Sequence, residues 1–174
     1  MLIRPAQKNH AYAIAKLHTT SWQTHYTDAL STHYLHHLAP AEREALWLER
    51  MANPKPNQQV FIAEEHNELV GFACVFLDEN REFGSYLDNL HVAAAHQGKG
   101  IGKALVQAVA NSCVHAAQSE GLCLLVNQTN ARAQNFYLNL GAVNARADTW
   151  AAPDGSAVPT FWFIWPQVNA LLAH

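Results

Sequence analysis

A glycine-rich stretch is the part of this sequence best suited to chemistry. Residues 97–105 read Gln-Gly-Lys-Gly-Ile-Gly-Lys-Ala-Leu, and they separate a strand-like run, residues 86–92, from a helix-like run that starts at Ala104. Glycine leaves a turn almost bare of side chains, so consecutive backbone N–H groups can converge on one point. The dipole of the following helix adds positive potential there. The stretch therefore predicts an anion site, for which phosphate is the usual ligand.

The spacing of the glycines excludes two common phosphate loops. A P-loop, Gly-x-x-x-x-Gly-Lys-Ser/Thr, would need glycine at Gln97 and a hydroxyl at Ala104. The dinucleotide fingerprint, Gly-x-Gly-x-x-Gly, would need its last glycine at Lys103 or Leu105. What remains is Gln-x-x-Gly-x-Gly after a strand, for which a plain strand-to-helix turn is the alternative interpretation.

A second motif follows in residues 130–142, Asn-Ala-Arg-Ala-Gln-Asn-Phe-Tyr-Leu-Asn-Leu-Gly-Ala. Asn130 can cap a helix with its side-chain oxygen. One face of that helix, by its spacing, holds Ala133, Phe136, Tyr137 and Leu140. This face aims Tyr137 at the space between the central strands, although a core tyrosine with a satisfied hydroxyl is the alternative.

Together the two motifs resemble the GNAT superfamily of N-acetyltransferases, which use acetyl-CoA. The loop is similar to the family's pyrophosphate loop, and residues 130–141 are similar to its Asn-x-x-Ala-x-x-Phe-Tyr-x-x-x-Gly signature. The resemblance implies acetyl-CoA as cosubstrate, with no metal. It also implies that Tyr137 lies beside the coenzyme sulfur and protonates the leaving thiolate. The main chain of residues 90–92 would pair with the pantetheine arm and polarise the thioester carbonyl.

The cofactor-binding residues that the resemblance implies lie at the end of the upstream strand, in the loop and in the second motif. They are Leu90, His91, Val92, Gln97, Gly98, Lys99, Gly100, Ile101, Gly102, Lys103, Asn130 and Tyr137.

Patterning along the chain predicts the elements that position these motifs. Strands are expected at residues 2–5, 60–63, 69–77, 85–92, 122–126, 142–150 and 158–165, and helices at 7–24, 31–38, 40–51, from 104 to near 119, and 131–140. Pro40 suits a first helical turn, while Gly121 and Gly141 are expected to cap the last two helices. This order predicts an α/β (α+β) fold with a mixed sheet of about seven strands and helices on both faces. It too resembles the GNAT fold, in which two central parallel strands splay apart.

The general base is missing from the positions where the resemblance would place it. Some protein-acetylating branches carry a glutamate early in the upstream strand, where this chain has Tyr86. The branch that acetylates ribosomal-protein N-termini carries one in the downstream strand, at about Leu125. An amine acceptor with a pKa near 10.4 must still lose a proton.

Three side chains of the upstream strand remain as candidates. Alternation along the strand puts Asp88 on the face of Leu90 and Val92, and Asn89 on the face of His91. His91 has a suitable intrinsic pKa, although a histidine packed on a half-buried face is the alternative. Asp88 could instead pair with a nearby cation. We expect the catalytic set to be Tyr137, His91 and Asp88.

The end of the first helix offers side chains for the acceptor. Trp22, His25 and Tyr26 fall where this fold places its acceptor cleft, so Trp22 and Tyr26 are candidates to bind the substrate or simply to pack. His33 and His37 are four residues apart on a helix, but no Glu follows His33 as in His-Glu-x-x-His, so a metal site is not expected.

Composition limits the class of protein. The chain has 174 residues, 49% hydrophobic and 14% charged, which predicts a single domain over residues 1–174. Its net charge of -3 argues against a nucleic-acid surface. No apolar run approaches a membrane span, and Cys74, Cys113 and Cys123 are expected to be reduced in a cytoplasmic protein. A homodimer is left open.

The sequence therefore predicts an N-acetyltransferase that moves an acetyl group from acetyl-CoA to a primary amine of a small molecule or a protein. Because no cysteine lies in the loop or the second motif, direct transfer in a ternary complex is expected. The missing glutamates favour an alternative, a CoA-binding sensor or interaction module without catalysis.

Overall fold

The computed structural model describes residues 1–173, which form one mixed sheet with helices on both faces. The strands are β1 (Leu2–Pro5), β2 (Gln58–Glu65), β3 (Glu68–Asn80), β4 (Gly84–Val92), β5 (Leu122–Asn127), β6 (Val143–Ala151) and β7 (Ala157–Trp165). The helices are α1 (Ala11–His25), α2 (Ala39–Ala52), α3 (Ile101–Ala116) and α4 (Ala131–Asn139). The seven strands lie in the order β1-β2-β3-β4-β5-β7-β6, which confirms the predicted fold class.

Two apolar cores hold the helices to the sheet. On one face α1 and α2 cover β2 and β3, with Trp47 and Phe72 fully buried between them. On the other face α3 packs against the sheet through side chains such as Leu105 and Val109. The apolar face predicted for α4 packs against this second core. The middle strands thus carry a helix layer on each side, as expected of a mixed sheet in this fold class.

The parallel pair β4–β5 is joined at one end only. Its register has two pairs, Ser85 with Leu122 and Tyr86 with Cys123, and every other neighbouring pair of strands is antiparallel. Beyond Tyr86 and Cys123 no further pair joins the two strands within residues 1–173. The strands therefore separate toward their carboxyl ends, which is the splay implied by the sequence resemblance.

Gly121 closes the joined end of this pair and does not cap α3. A Cβ added at Gly121 would lie 2.3 Å from the carbonyl oxygen of Phe83, and one added at Gly84 would lie 2.4 Å from the carbonyl oxygen of Gly121. Two backbones meet here at a distance that only glycine permits. The prediction that Gly121 caps a helix running to residue 119 was therefore wrong.

The early end of α3 has a local cause. The helix ends at Ala116, and the next amides, those of Gln118 and Ser119, donate to the carboxylate of Asp78 at 2.9 and 2.8 Å. These bonds satisfy the amides outside the helix, so the chain can turn toward β5.

The two helical segments predicted before and after residue 39 join into one run. Residues 34–38 form a wide π-turn, in which the Ala39 N–H donates to the Tyr34 carbonyl, and α2 follows directly with Pro40 in its first turn. Proline has no N–H to donate to the carbonyl four residues earlier, and the wide turn carries the helix past that position. None of the helices within residues 1–173 is both long enough and apolar enough to cross a bilayer.

Candidate active site

A cleft of about 400 Å³ opens where β4 and β5 separate. Most predicted site residues line it: Tyr26, Leu90, His91, Val92, Gln97, Gly98, Gly100, Ile101, Gly102, Lys103, Asn130 and Tyr137. Lys99, Asp88 and Trp22 are not among the lining residues. Within residues 1–173, the lining contains no Asp or Glu side chain. The fold thus brings the glycine loop, the end of β4 and the second motif to one cavity.

Two residues of the glycine loop, immediately before α3, have a left-handed backbone. Gly98 and Gly100 have φ of +78° and +82°, and a Cβ added at either would meet no atom within 4 Å. Gly100 is the N-cap of α3 and has no side chain to cap the helix itself. The unpaired N–H groups of the first turn and the helix dipole are therefore left for an external anion. This geometry fits the phosphates of a coenzyme.

Gly102 lines the cleft and also meets the second motif. It is the second residue of α3, and an added Cβ would lie 3.2 Å from the Phe136 ring of α4. The missing side chain therefore lets α4 pack closely against α3.

Gln97 fixes the loop to the end of β4. Its side-chain amide donates to the Val92 carbonyl at 3.0 Å and lies 3.5 Å from Nε2 of His25 at the end of α1. The strand, the loop and α1 are thus held together at the mouth of the cleft.

Tyr137 enters the cleft from α4, as predicted. Asn130 caps that helix, its side-chain oxygen accepting from the Ala133 N–H at 3.0 Å. The Tyr137 ring packs edge-on against Phe136 and Trp165, with centroids 5.1 and 6.0 Å away. No hydrogen bond to its hydroxyl occurs within residues 1–173. Burial, followed by the nearby Tyr26, raises the pKa of Tyr137 above its ordinary value, so the phenol stays protonated at neutral pH.

Asp88 lies on the opposite face of β4 from the one predicted. The β3–β4 register pairs Cys74 with Asn89 and Val75 with Leu87, so Asp88 is the extra residue of a β-bulge. A bulge shifts the alternation of side chains, which a simple two-residue period misses. The carboxylate of Asp88 consequently points toward α2, where it pairs with Arg50 at 2.8 Å.

His91 is a packed histidine that still borders the cleft. Its Nδ1 lies 2.7 Å from the Ser21 hydroxyl, and its ring lies 4.8 Å from that of His18 and 5.3 Å from that of Phe72. Burial, followed by the charge of His25, lowers the pKa of His91 to about 3. A base this weak holds no proton near neutral pH, which limits its value in general-base catalysis.

His18 is neutral for similar reasons. The Trp47 indole N–H donates to His18 Nδ1 at 2.9 Å. Burial, followed by the charges of His91, Arg43 and Arg50, holds the pKa of His18 well below its usual value. Two adjoining histidines therefore remain uncharged inside the fold.

Because His18 and His91 are buried without charge, we expect the protein to lose stability in mild acid. The unfolded chain protonates them near pH 6.5 while the folded chain does not, so unfolding takes up protons and stability falls as pH drops below 6.5. By pH 5.5 the loss is on the order of 1 kcal/mol for each of the two histidines, and His25 adds to it in the same direction. The free energy of unfolding by urea, measured at pH 7.5 and 5.5, tests this.

A matched pair of variants checks the assignment. His91→Gln should remove about half of the pH dependence, whereas His36→Gln, at an exposed position, should leave it unchanged. A free energy of unfolding that is flat between pH 7.5 and 5.5 would contradict neutral burial of both rings.

Aromatic side chains cluster where the end of α1 reaches the cleft. Tyr26 lines the cleft, and burial, followed by the charge of Asp88, raises its pKa to about 12. Trp22 is buried beneath it, stacked at 5.4 Å, and Trp150 of β6 lies 6.4 Å from Tyr26. Of the two predicted acceptor residues, Tyr26 can touch a ligand and Trp22 supports it.

Several cleft residues were missed by sequence reasoning. They are His96, Leu125, Val126, Asn127, Arg132, Ala133 and Phe136, whereas His25 was expected near the cleft with Trp22 and Tyr26. Ala133 and Phe136 belong to the motif already quoted, and residues 125–127 end the strand opposite β4, so both groups had a usable signal. His96 immediately precedes Gln97 of the loop, so its place in the sequence was also a usable signal.

The histidines of the second helical segment form a pair. The rings of His33 and His37 lie 4.9 Å apart. Within residues 1–173, no group of three or more His, Cys, Asp or Glu side chains is placed to hold a metal ion.

Comparison with known proteins gives a consistent result. The sequence model of the Acetyltransferase (GNAT) family matches residues 12–142. The chain is 30% identical over 172 residues to the peptidyl-lysine N-acetyltransferase YiaC of Escherichia coli (strain K12), covering 98% of this chain and 100% of that protein.

Two solved structures illustrate the likeness of fold. A GCN5-related N-acetyltransferase from Rhodopseudomonas palustris matches with a TM-score of 0.74 and 20% identity, covering 94% of this chain and 93% of that one. The acetyltransferase yncA of Salmonella typhimurium, solved with its cofactor acetyl-CoA, matches with a TM-score of 0.69 and 19% identity, covering 97% and 94%.

Proposed function

Because this chain belongs to the GNAT family of N-acetyltransferases and takes its acetyl group from acetyl-CoA, we propose that it acetylates a primary amine by direct transfer in a ternary complex. The observation that carries the proposal is the cleft between the separated ends of β4 and β5, with a bare glycine loop at its mouth and Tyr137 on its wall.

Each part of the cleft has a role in this reaction. The N–H groups at the start of α3 bind the coenzyme pyrophosphate. The main chain of residues 90–92 has no strand partner on its β5 side, so it can bond the pantetheine arm and polarise the thioester carbonyl. Tyr137 donates the proton that the sulfur needs as it leaves. The thioester supplies the activated acetyl group.

Removal of the amine proton does not need a carboxylate in the cleft. A lysine amine has a pKa near 10.4 in water, and transfer into an apolar cleft lowers it. We propose that this desolvation, with a chain of waters leading out, replaces the absent glutamate. His91 then acts by position, as part of the cleft wall. Asp88 and Arg50 pair with each other outside the cleft lining, so we assign Asp88 no direct part in the transfer.

The cysteines support direct transfer. Cys74, Cys113 and Cys123 are free and buried. Burial raises the pKa of Cys74 and Cys123 to about 12, so neither forms a thiolate at neutral pH. In the part of the chain that the structure describes, no cysteine lines the cleft. An acetyl-enzyme on sulfur therefore lacks a reachable nucleophile. Free thiols also fit our proposal of a cytoplasmic location.

A lysine side chain of a protein or peptide is the acceptor we propose to test first. The Escherichia coli relative YiaC is named a peptidyl-lysine N-acetyltransferase. The Tyr26 ring, which lines the cleft and packs against Trp150, also suits the long alkyl stem of lysine, which packs well on apolar surface.

The test is release of free CoA thiol from acetyl-CoA over a panel of amines: lysine peptides, free lysine and small aliphatic amines. We expect turnover with at least one lysine peptide, and initial-velocity lines that intersect when both substrates are varied. Parallel lines, or an acetylated protein in the absence of amine, would overturn direct transfer.

A catalytically silent CoA-binding module is the second candidate, favoured by the lack of any Asp or Glu in the described cleft lining. Tight binding of acetyl-CoA by calorimetry, with no thiol release on any amine, would select it. Failure to bind acetyl-CoA at all would reject both functions.

A further inference from the structure

We propose that Arg132 binds a phosphate group of the coenzyme, forming a second anion subsite on the α4 wall of the cleft. The inference rests on acetyl-CoA as cosubstrate but goes beyond the glycine loop, to a residue that neither motif nor composition singled out. In this proposal, the Arg132 guanidinium supplements the backbone N–H groups at the start of α3.

The charges around the cleft are the first argument. The protein carries a net charge of -3, yet the described lining contains Lys103 and Arg132 and no carboxylate. Outside the cleft, Arg4, Arg50 and Arg146 pair with carboxylates at 2.7 to 2.8 Å, and Arg43 lies over the Trp22 ring. Arg132 has no ion pair within residues 1–173. An unpaired guanidinium in a carboxylate-free cleft favours an anionic ligand.

The position of Arg132 is the second argument. It lies in the first turn of α4, one turn before Tyr137, and so nearer the end where the helix dipole is positive. Across the mouth, His25 of α1 approaches Gln97 of the loop at 3.5 Å. Burial, followed by the charge of Arg132, lowers the pKa of His25, so the field of the guanidinium reaches this same opening.

The chemistry of guanidinium is the third argument. Its planar donor fork matches phosphate oxygens in a bidentate way that a lysine ammonium does not. Coenzyme A carries two kinds of phosphate, the pyrophosphate and the ribose 3′-phosphate. Either would satisfy Arg132, and both belong to the same ligand.

The experiment measures binding of CoA and of dephospho-CoA, which lacks the 3′-phosphate, to wild type, Arg132→Gln and Arg132→Lys by calorimetry. We expect Arg132→Gln to weaken CoA binding about 10–100-fold, as for loss of one or two charge-assisted bonds. We expect Arg132→Lys to recover only part of this. A loss confined to CoA assigns the 3′-phosphate, and an equal loss with both ligands assigns the pyrophosphate.

The matched control is Arg81→Gln. Arg81 is exposed in the turn between β3 and β4, at the closed end of the strand pair, so its removal changes the net charge equally without touching the cleft. Arg132→Gln with the CoA affinity of Arg81→Gln would overturn the proposal. That result would leave acetyl-CoA binding by the wild-type enzyme intact, whereas a wild type that fails to bind acetyl-CoA would count against the proposed function instead.

Discussion

Tyr137→Phe should lower kcat by about 10²–10⁴-fold, the usual worth of general-acid assistance. The substitution removes one hydroxyl and keeps the ring that packs on Phe136 and Trp165. Acetyl-CoA affinity should change little, because the loop and the main chain of β4 supply the anchoring. Steady-state kinetics with the best amine of the panel, alongside calorimetry with acetyl-CoA, gives both quantities.

Stability separates this role from that of an ordinary core tyrosine. The Tyr137 hydroxyl makes no hydrogen bond within residues 1–173, so its loss should cost well under the usual value of about 1 kcal/mol. Tyr34→Phe is the matched control, since the buried Tyr34 donates to Glu42 at 2.6 Å and lies outside the cleft lining. Tyr34→Phe should lower the melting temperature and leave kcat unchanged. The reverse pattern, with Tyr137→Phe less stable and fully active, would refute the catalytic role.

The features that sequence predicted well are those set by neighbouring residues. Asn130 indicates a helix cap, so the start of α4 was found at the right position. The glycine loop was also recognised, but α3 begins at Ile101, earlier than the predicted residue 104. The order of strands and helices follows from local periodicity, which is why the mixed sheet was predicted from the chain alone.

The features that sequence missed depend on distant contacts. The bulge at Asp88 arises in the pairing of β4 with β3, and it reverses the face on which Asp88 lies. The pKa of His91 is set by burial and by His25, which no local pattern records. Arg132 comes near His25 only because the fold brings both side chains to the lining of one cleft. Local patterns placed the backbone of the site, whereas its charges and protonation states depend on the assembled fold.

Gly100→Val should weaken acetyl-CoA binding by about 10²–10⁴-fold in Kd. Gly100 has φ of +82° at the N-cap of α3, a conformation that a β-branched residue rarely adopts. Valine must therefore either accept strain of about 1–3 kcal/mol or move the loop. Moving the loop separates the N–H groups that converge on the phosphate. Loss of two charge-assisted bonds, about 1.5–3 kcal/mol each, accounts for the expected change.

Gly155 provides a control, because it has a similar left-handed backbone but lies away from the proposed phosphate site. Gly155 has φ of +86° in the turn between β6 and β7, and an added Cβ there would also meet no atom within 4 Å. Gly155→Val should lower the melting temperature about as much as Gly100→Val and leave the Kd for acetyl-CoA unchanged. Gly102→Val cannot serve, because its side chain would collide with Phe136. If Gly100→Val folds and binds acetyl-CoA normally, or if Gly155→Val weakens binding equally, the α3 loop is not the phosphate site.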